Sequence, residues 1–258
     1  MDANVALELL RKSVEAAISE EATVSVAYSG GLDSSILTAL AKEFATVRCY
    51  TCVVPGSFDS RNAKSRAESE DVDLTVIELR AEEIPEIARE ASELLQTSNP
   101  TQLAYTIPVL AVLKGSREKL VLVGHGADEL FGGYAKYASV QDPKSVMADD
   151  LDKMLNEAEA VATAAASLGK KIAFPFASSE VVEFSKSLPL DRMISASERK
   201  ILLREVAKLL GLPSRDLPKK AAQYSSGVLR EMRRLAKAEG MSLSDWAAHL
   251  LESRERSS

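Results

Sequence analysis

Short apolar runs alternate with longer stretches of helical periodicity over the first half of the chain. Four runs rich in β-branched residues predict buried strands, at 23–29 (TVSVAYS), 46–54, 72–79 and 119–124. Apolar residues recur at helical spacing between them, at about 35–44, 60–70, 82–96 and 102–117. This alternation is typical of β-α units on a parallel sheet. We therefore predict an α/β fold with a doubly wound parallel sheet, whose ligand lies at the carboxyl ends of the strands.

The pattern changes after about Tyr137. From there on the chain has no strong strand run but several helical stretches, including 151–169 (LDKMLNEAEAVATAAASLG) and 197–211 (SERKILLREVAKLLG). Ser197 is the expected N-cap of the second of these. We predict an α/β core at residues 1–140 and a mostly helical subdomain at residues 141–258.

Composition and charge limit the classes of protein to which this chain can belong. The chain has 258 residues, of which 46% are hydrophobic and 27% charged, as in ordinary globular domains. It contains no apolar run near the roughly 20 residues of a membrane span, and its first residues read as a charged helix, so we expect a cytoplasmic protein. A net charge of −6 argues against a protein whose main task is to grip nucleic-acid phosphates.

Positive charge is concentrated between Arg192 and Lys237, with twelve basic against four acidic residues. Such a stretch is either a set of solvated helix faces or a source of cations for a polyphosphate bound across the domain boundary.

The two cysteines, Cys49 and Cys52, form a C-x-x-C pattern inside the second strand run. Strand residues three apart point to opposite faces of the sheet. We therefore interpret them as two buried small residues and not as a redox or metal pair.

The segment SGGLDSS follows the first strand run and opens a helix, which is where an anion is best held. Its glycines permit close approach, and its serines add hydroxyl donors. The lysine of the common phosphate-binding loop is absent and an aspartate is present, so we infer that Asp33 ligates Mg²⁺. The residues of this loop are Ser29, Gly30, Gly31, Leu32, Asp33, Ser34 and Ser35.

A second polar loop, VGHGADELFGGYAKY at 123–137, follows the fourth strand run. Parallel strands bring their carboxyl ends to one edge, so this loop can face the first one. Asp128 is then the natural second carboxylate for the metal, and Glu129 supports it or caps a helix.

Together the two loops resemble the synthetase domain of the asparagine synthetase family, within the ATP pyrophosphatases that share an S-G-G-x-D-S loop. The resemblance extends over most of the chain, through VVPGS, IPVLAVL, IAFPF and SERKILLREVAKLLGLP. It implies an adenine nucleotide alpha hydrolase-like fold of the HUP type, whose helical subdomain completes the active site.

The resemblance also implies a two-step reaction with ATP and Mg²⁺. A substrate carboxylate, best taken as that of aspartate, attacks the α-phosphorus and releases pyrophosphate, and ammonia then displaces AMP to give an amide. The SGGLDSS loop would hold the pyrophosphate, Asp33 and Asp128 the Mg²⁺, and the backbone near Leu32 and Cys52 the adenine. Gly124 and Gly126 of the second loop complete the predicted nucleotide site.

The sequence departs from the family pattern at three places. Residue 2 is Asp2 and not the nucleophilic cysteine of a glutaminase domain, so we expect ammonia, another amine or a separate amine-supplying subunit. His125 stands where the family usually has glutamate. We interpret it either as a general base or substrate contact, or as a sign of a structural contact or of a changed substrate. The family's catalytic lysine, three residues before an aromatic, has no match in that register, and we assign the role to Lys220, four residues before Tyr224.

Three alternatives stay open at this point. The chain could adenylate a different acid or use a bulkier amine, an alternative that His125 favours. It could modify tRNA, although such enzymes have a strongly basic face and usually an additional cysteine or zinc module, and this sequence offers only the basic excess at 192–237 and two cysteines within a strand run. It could also bind ATP without catalysis, against which the intact Asp33 and Asp128 argue.

Overall fold

The computed structural model describes residues 1–19, 21–195, 197–213 and 226–252, with the backbone alone for 58–63 and 252. Within these ranges five strands form a single parallel sheet: β1 Thr23–Ala27, β2 Thr46–Val53, β3 Leu74–Glu78, β4 Leu120–Leu122 and β5 Lys171–Ala173. Their order across the sheet is β3-β2-β1-β4-β5. The predicted doubly wound parallel sheet is confirmed, because helices pack on both of its faces.

The helices form two layers around the sheet. In chain order they are α1 Asp2–Ile18, α2 Leu32–Ala41, α3 Phe58–Ser69, α4 Ile84–Leu95, α5 Pro100–Gly115, α6 Ala127–Phe131, α7 Pro143–Ser167, α8 Ser179–Ser187, α9 Ile201–Leu209, α10 Val228–Ala238 and α11 Leu243–Glu252. The apolar faces of α1, α2 and α9 share one core cluster, and those of α4, α5, α10 and α11 share the other. No helix in the described part of the chain is long and apolar enough to cross a membrane.

The central strands are buried on both faces, as their continuous apolar runs predict. Val24 and Val26 of β1 are fully buried. Cys49 belongs to one core cluster and Cys52 to the other, which confirms that the two thiols lie on opposite faces of β2. Burial raises the pKa of each to about 12, so neither forms a reactive thiolate at neutral pH.

The second half of the chain contributes a strand that the sequence pattern does not reveal. Strand β5 pairs with β4, with Leu120 opposite Lys171. Its three residues are too few for a periodic signal, and one of them is an exposed lysine. The fifth strand thus comes from beyond the expected boundary near residue 140, and that boundary stays a prediction.

The position of the site follows from the strand order. The chain moves from β1 to its neighbour β2 on one side, and β4 lies against the other side of β1, with Val26 opposite Leu122. The loops after β1 and β4 therefore leave the sheet side by side, at the topological switch point where open α/β sheets bind ligands.

Candidate functional site

A cleft of about 840 Å³ opens at the carboxyl ends of β1 and β4, within the size range of small-molecule sites. Both predicted loops contribute to its lining, through Ser29, Gly30, Gly31, Leu32, Asp33, Ser34, Gly124, His125, Gly126, Asp128 and Glu129. Cys52 also lines it, from the end of β2. Ser35 does not, because it is buried within the first turn of α2. Lys220 lies outside the described residues.

The first loop is shaped by its glycines and by an arginine from α3. Gly30 has a φ of +67°, and a Cβ there would lie 2.5 Å from Cδ of Arg66. The Nη1 group of Arg66 donates to the carbonyl of Ser29 at 3.1 Å. A cation thus lies against the backbone of the loop, at the edge of the cleft.

Hydroxyl groups hold the loop in shape at the start of α2. Ser34 Oγ donates to the carbonyl of Gly31 at 3.1 Å and accepts from the amide of Ser29 at 3.2 Å. The amide of Gly31 in turn donates to Ser29 Oγ at 3.3 Å. Helix α2 begins immediately afterwards, and the positive end of its dipole adds to the preference of this position for an anion.

The carboxylates of Asp33 and Asp128 converge on one cation, the ammonium of Lys200. Its Nζ lies 2.6 Å from each carboxylate oxygen of Asp33 and 2.5 Å from Oδ1 of Asp128. The Lys200 side chain is only 4% exposed. Burial lowers the pKa of this ammonium, while the negative charge of Asp33 opposes that change. The loops after β1 and β4 thus meet, as expected, but a protein cation joins them.

Lys200 reaches this position because α9 starts later than its sequence suggests. The helix begins at Ile201, and its N-cap is Lys200 itself, in the left-handed region with a φ of +57°. The prediction that Ser197 caps this helix is therefore wrong. The amide of Glu198 instead donates to Ser195 Oγ at 3.0 Å, in the turn before the helix.

The donor set suits a magnesium ion bound together with phosphate. Mg²⁺ in phosphate-transfer sites usually takes one or two protein carboxylates and completes its shell with phosphate oxygens and water. Asp33 and Asp128 provide two converging carboxylates, while the described ranges contain no group of three or more His, Cys, Asp or Glu side chains that could hold a metal by themselves.

His125 and Glu129 lie on the second loop in less polar surroundings. The His125 ring meets Phe174 edge to face, with centroids 6.0 Å apart. Burial lowers the pKa of His125 to about 4, although the charge of Asp33 opposes this, so the ring is uncharged at neutral pH. Glu129 lies inside α6, is 7% exposed and accepts from the hydroxyl of Tyr134 at 2.6 Å. Burial raises its pKa.

The opposite wall of the cleft consists of residues that the sequence analysis missed. Gln102 and Tyr105, three apart on α5, both donate to Glu157 of α7, from Nε2 at 2.6 Å and from the hydroxyl at 2.5 Å. Asp150, Lys153 and Glu157 recur at helical spacing on the same side of α7. The available signal was the presence of Gln102 and Tyr105 in an otherwise apolar helix.

Some cations of the basic stretch reach the cleft. Arg199, Lys200 and Arg204 line it, around the start of α9. Arg230, Arg233 and Lys237 are instead exposed on α10. The basic stretch thus contributes cations to the cleft at the start of α9 and exposed charges on α10, and a contact of these cations with a polyphosphate stays a prediction.

The chain is similar to known proteins over most of its length. The asparagine synthase family model matches residues 6–165. A Methanocaldococcus jannaschii protein, provisionally named as a glutamine-hydrolyzing asparagine synthetase, is 28% identical in an alignment 265 residues long that covers 85% of this chain and 48% of that protein. The glutamine-hydrolyzing asparagine synthetase B of Escherichia coli is 25% identical in an alignment 251 residues long that covers 88% of this chain and 45% of that protein. The chain thus spans about half the length of these relatives.

Among solved structures, the NMN synthetase of Francisella tularensis matches with a TM-score of 0.43 and 13% identity. The match covers 97% of this chain and 90% of that one.

Proposed function

Because the chain belongs to the asparagine synthase family, we propose that it is an ATP-dependent, AMP-forming carbon–nitrogen ligase that joins a carboxylic acid to an amine. The observation that carries this proposal is the convergence of Asp33 and Asp128 beside the SGGLDSS loop, at the switch point of the sheet. The loop and its position at the switch point suit a nucleotide polyphosphate, and the two carboxylates suit the metal that is bound with it.

In this proposal ATP is a substrate that lies along the edge of the sheet. The loop from Ser29 to Ser34 and the start of α2 receive the pyrophosphate portion, with Arg66 at their side. The adenine lies against Leu32 and Cys52, which both line the cleft. The acid and the amine then occupy the part of the cleft between His125 and the wall formed by α5 and α7.

Asp33 and Asp128 would hold the Mg²⁺ that accompanies ATP. The metal would offset the negative charge that builds on the departing pyrophosphate. Gly124 leaves room for Asp33 beside it, because a Cβ at position 124 would lie only 3.2 Å from the Cβ of Asp33.

The reaction requires two displacements. In the first, an oxygen of the acid bonds to the α-phosphorus and the bond to pyrophosphate breaks, which gives an acyl-adenylate. In the second, the amine nitrogen bonds to the acyl carbon, AMP departs and the nitrogen loses a proton. We propose Lys220 as the cation beside the α-phosphate, and His125 and Glu129 as the groups that contact the amine and accept its proton.

Aspartate and ammonia are the first substrates to test, because the relatives are named as asparagine synthetases. A second candidate is a different acid or amine. It is favoured by an uncharged histidine in place of the usual glutamate and by the Tyr105–Glu157 contact on the opposite wall.

The decisive experiment is the exchange of labelled pyrophosphate into ATP with Mg²⁺, first with aspartate and then with a panel of other acids. We expect exchange with at least one acid, amide formation when an amine is added, and loss of both in Asp33→Asn. Lys220→Ala should lose exchange while it still binds ATP. Nucleotide binding with no exchange for any acid would contradict the proposal and favour a non-catalytic nucleotide-binding role.

A further inference from the structure

Lys200 occupies the point at which the two candidate metal-binding carboxylates converge. Three carboxylate oxygens lie 2.5–2.6 Å from its Nζ. The ammonium donates to both oxygens of Asp33, and its contact with Oδ1 of Asp128 is an ion pair. The Lys200 side chain is buried. It enters the site from the N-cap of α9, a part of the chain far in sequence from both carboxylates, where the Lys200 backbone is left-handed.

The same oxygens cannot serve the ammonium and a metal ion at once. Mg²⁺ requires carboxylate oxygens at about 2.0–2.1 Å in near-octahedral geometry. A cation among the Asp33 and Asp128 oxygens would lie in the space that Nζ fills, and the two positive charges would repel each other strongly in this poorly solvated position. Metal binding by this pair therefore requires Lys200 to move.

Movement of Lys200 has a cost that an anion can offset. A buried ammonium that leaves both of its carboxylates loses its compensating charges. Free Mg²⁺ brings no replacement for them, whereas a nucleotide polyphosphate brings oxygens that accept hydrogen bonds from the displaced ammonium. When Mg²⁺ and polyphosphate bind together, the carboxylates can bind the metal while the phosphate oxygens accept hydrogen bonds from Lys200. Mg²⁺ alone provides no such acceptor for the ammonium.

We propose that Lys200 holds the place of the metal in the nucleotide-free protein and passes from the two carboxylates to the phosphates when Mg²⁺ and nucleotide bind. The proposal rests on the proposed function, because it uses the same nucleotide site. It makes Lys200 a positioning residue that couples metal binding to nucleotide binding.

The test is a calorimetric titration with Mg²⁺, with and without α,β-methylene ATP, for the wild type and Lys200→Met. We expect the wild type to bind Mg²⁺ at least tenfold more weakly alone than with the nucleotide analogue. Lys200→Met should bind Mg²⁺ alone at least tenfold more tightly than the wild type, because no ammonium competes. In the melting curve, Mg²⁺ alone should stabilise Lys200→Met more than the wild type.

Lys153→Met is the matched control. Lys153 lines the same cleft, but it is 71% exposed and lies 3.9 Å from Asp150. Its replacement removes the same charge and should leave the binding of Mg²⁺ alone unchanged. If it tightens that binding as much as Lys200→Met does, general electrostatics explain the effect and the proposal fails.

Lys200→Gln, which also removes the ammonium, replaces Lys200→Met in this comparison if Lys200→Met does not fold. Equal Mg²⁺ affinity with and without the analogue would overturn the proposal, as would unchanged Mg²⁺ affinity in a folded Lys200→Met. Absence of analogue binding to the wild type would contradict the proposed function instead, and the comparison of Mg²⁺ alone between the two proteins would still test Lys200.

Discussion

The space for the converging carboxylates depends on the missing side chain of one residue, Gly133. A Cβ at this position would lie 1.7 Å from Oδ1 of Asp128 and 2.5 Å from Cε of Lys200. Both distances are far below van der Waals contact, and withdrawal of either neighbour would break the ion pair between Asp128 and Lys200. At this position glycine is required for space and not for backbone conformation.

We therefore expect Gly133→Ala to displace Asp128 and to lower pyrophosphate exchange by about 100-fold or more, since small errors of position at a reacting centre have effects of this size. Gly169→Ala is the control. Gly169 has a φ of +68° with open space around it, so alanine there should reduce stability by about 1–2 kcal/mol without disturbing the site. Equal exchange in the two variants would argue against the steric role of Gly133.

His125 should make stability depend on pH. Its pKa falls from 6.5 to about 4 in the folded protein, so between these values the unfolded chain takes up a proton that the folded one does not. Stability should therefore fall as the pH drops from about 6.5 to about 4. Melting temperatures measured across this range should show a smaller loss for His125→Gln than for the wild type. His249→Gln, at an exposed position, is the matched control for the loss of a histidine.

At the scale of elements, the cleft lies between the loops of the sheet and the facing sides of α5 and α7. The α5 side presents Gln102 and Tyr105, and the α7 side presents Glu157, which accepts from both of them. Burial raises the pKa of the Tyr105 hydroxyl, as do its hydrogen bond to Glu157 and the charge of that carboxylate, so Tyr105 stays a hydrogen-bond donor. Two helices are thus joined by a polar contact at the wall where we place the acid and the amine.

Tyr105→Phe should raise the KM of the acid or the amine by about tenfold and leave the KM of ATP unchanged. A hydrogen bond to a charged group contributes about 1.5–3 kcal/mol, and its loss releases Glu157 from a fixed position. Steady-state kinetics with each substrate varied in turn measures the effect. Ser25→Ala removes a comparable bond to Glu118, 2.5 Å long, between two residues outside the cleft lining, and should change no KM. Parallel changes in the KM of ATP would contradict the assignment.

At the scale of the whole molecule, distant parts of the chain close around the sheet. Arg192 binds Asp2 of α1 at 3.1 Å and Glu205 of α9 at 2.7 Å, which ties the start of the chain to its second half. The amide of Val54, at the end of β2, donates to the carbonyl of Ser226 at 2.9 Å, just before α10. The helices of the second half therefore complete both core layers.

Replacement of Trp246 measures how much helix α11 contributes to this core. It is 1% exposed, belongs to the cluster that contains α4 and α5, and donates from Nε1 to Glu239 at 3.1 Å. Trp246→Ala should lower the free energy of unfolding by about 3–5 kcal/mol, because it leaves a large cavity. Urea denaturation followed by circular dichroism measures the change. Leu209→Ala, at a residue 52% exposed, should shift it by no more than about 0.5 kcal/mol.

Much of the fold and part of the candidate site were predictable, because their signals are local. Apolar runs located the first four strands, and the two loop motifs identified Asp33 and Asp128. The start of α9 was misplaced because Ser197 is a plausible cap by itself, whereas the turn at Ser195 and the left-handed Lys200 moved the helix start to Ile201. Strand β5 was missed because its pairing with β4, and not its own composition, makes it a strand.

The sequence by itself determined the alternation of strands and helices, the parallel sheet and the loops that carry polar residues, since these follow from periodicity and from backbone chemistry near each residue. Only the tertiary structure decided which side chains meet in the cleft. Lys200 binds Asp33 across 167 positions, and Tyr105 binds Glu157 across 52. Such contacts depend on how helices pack over the sheet, because a side chain's partner is set by the shape of the whole core and not by its neighbours in the chain.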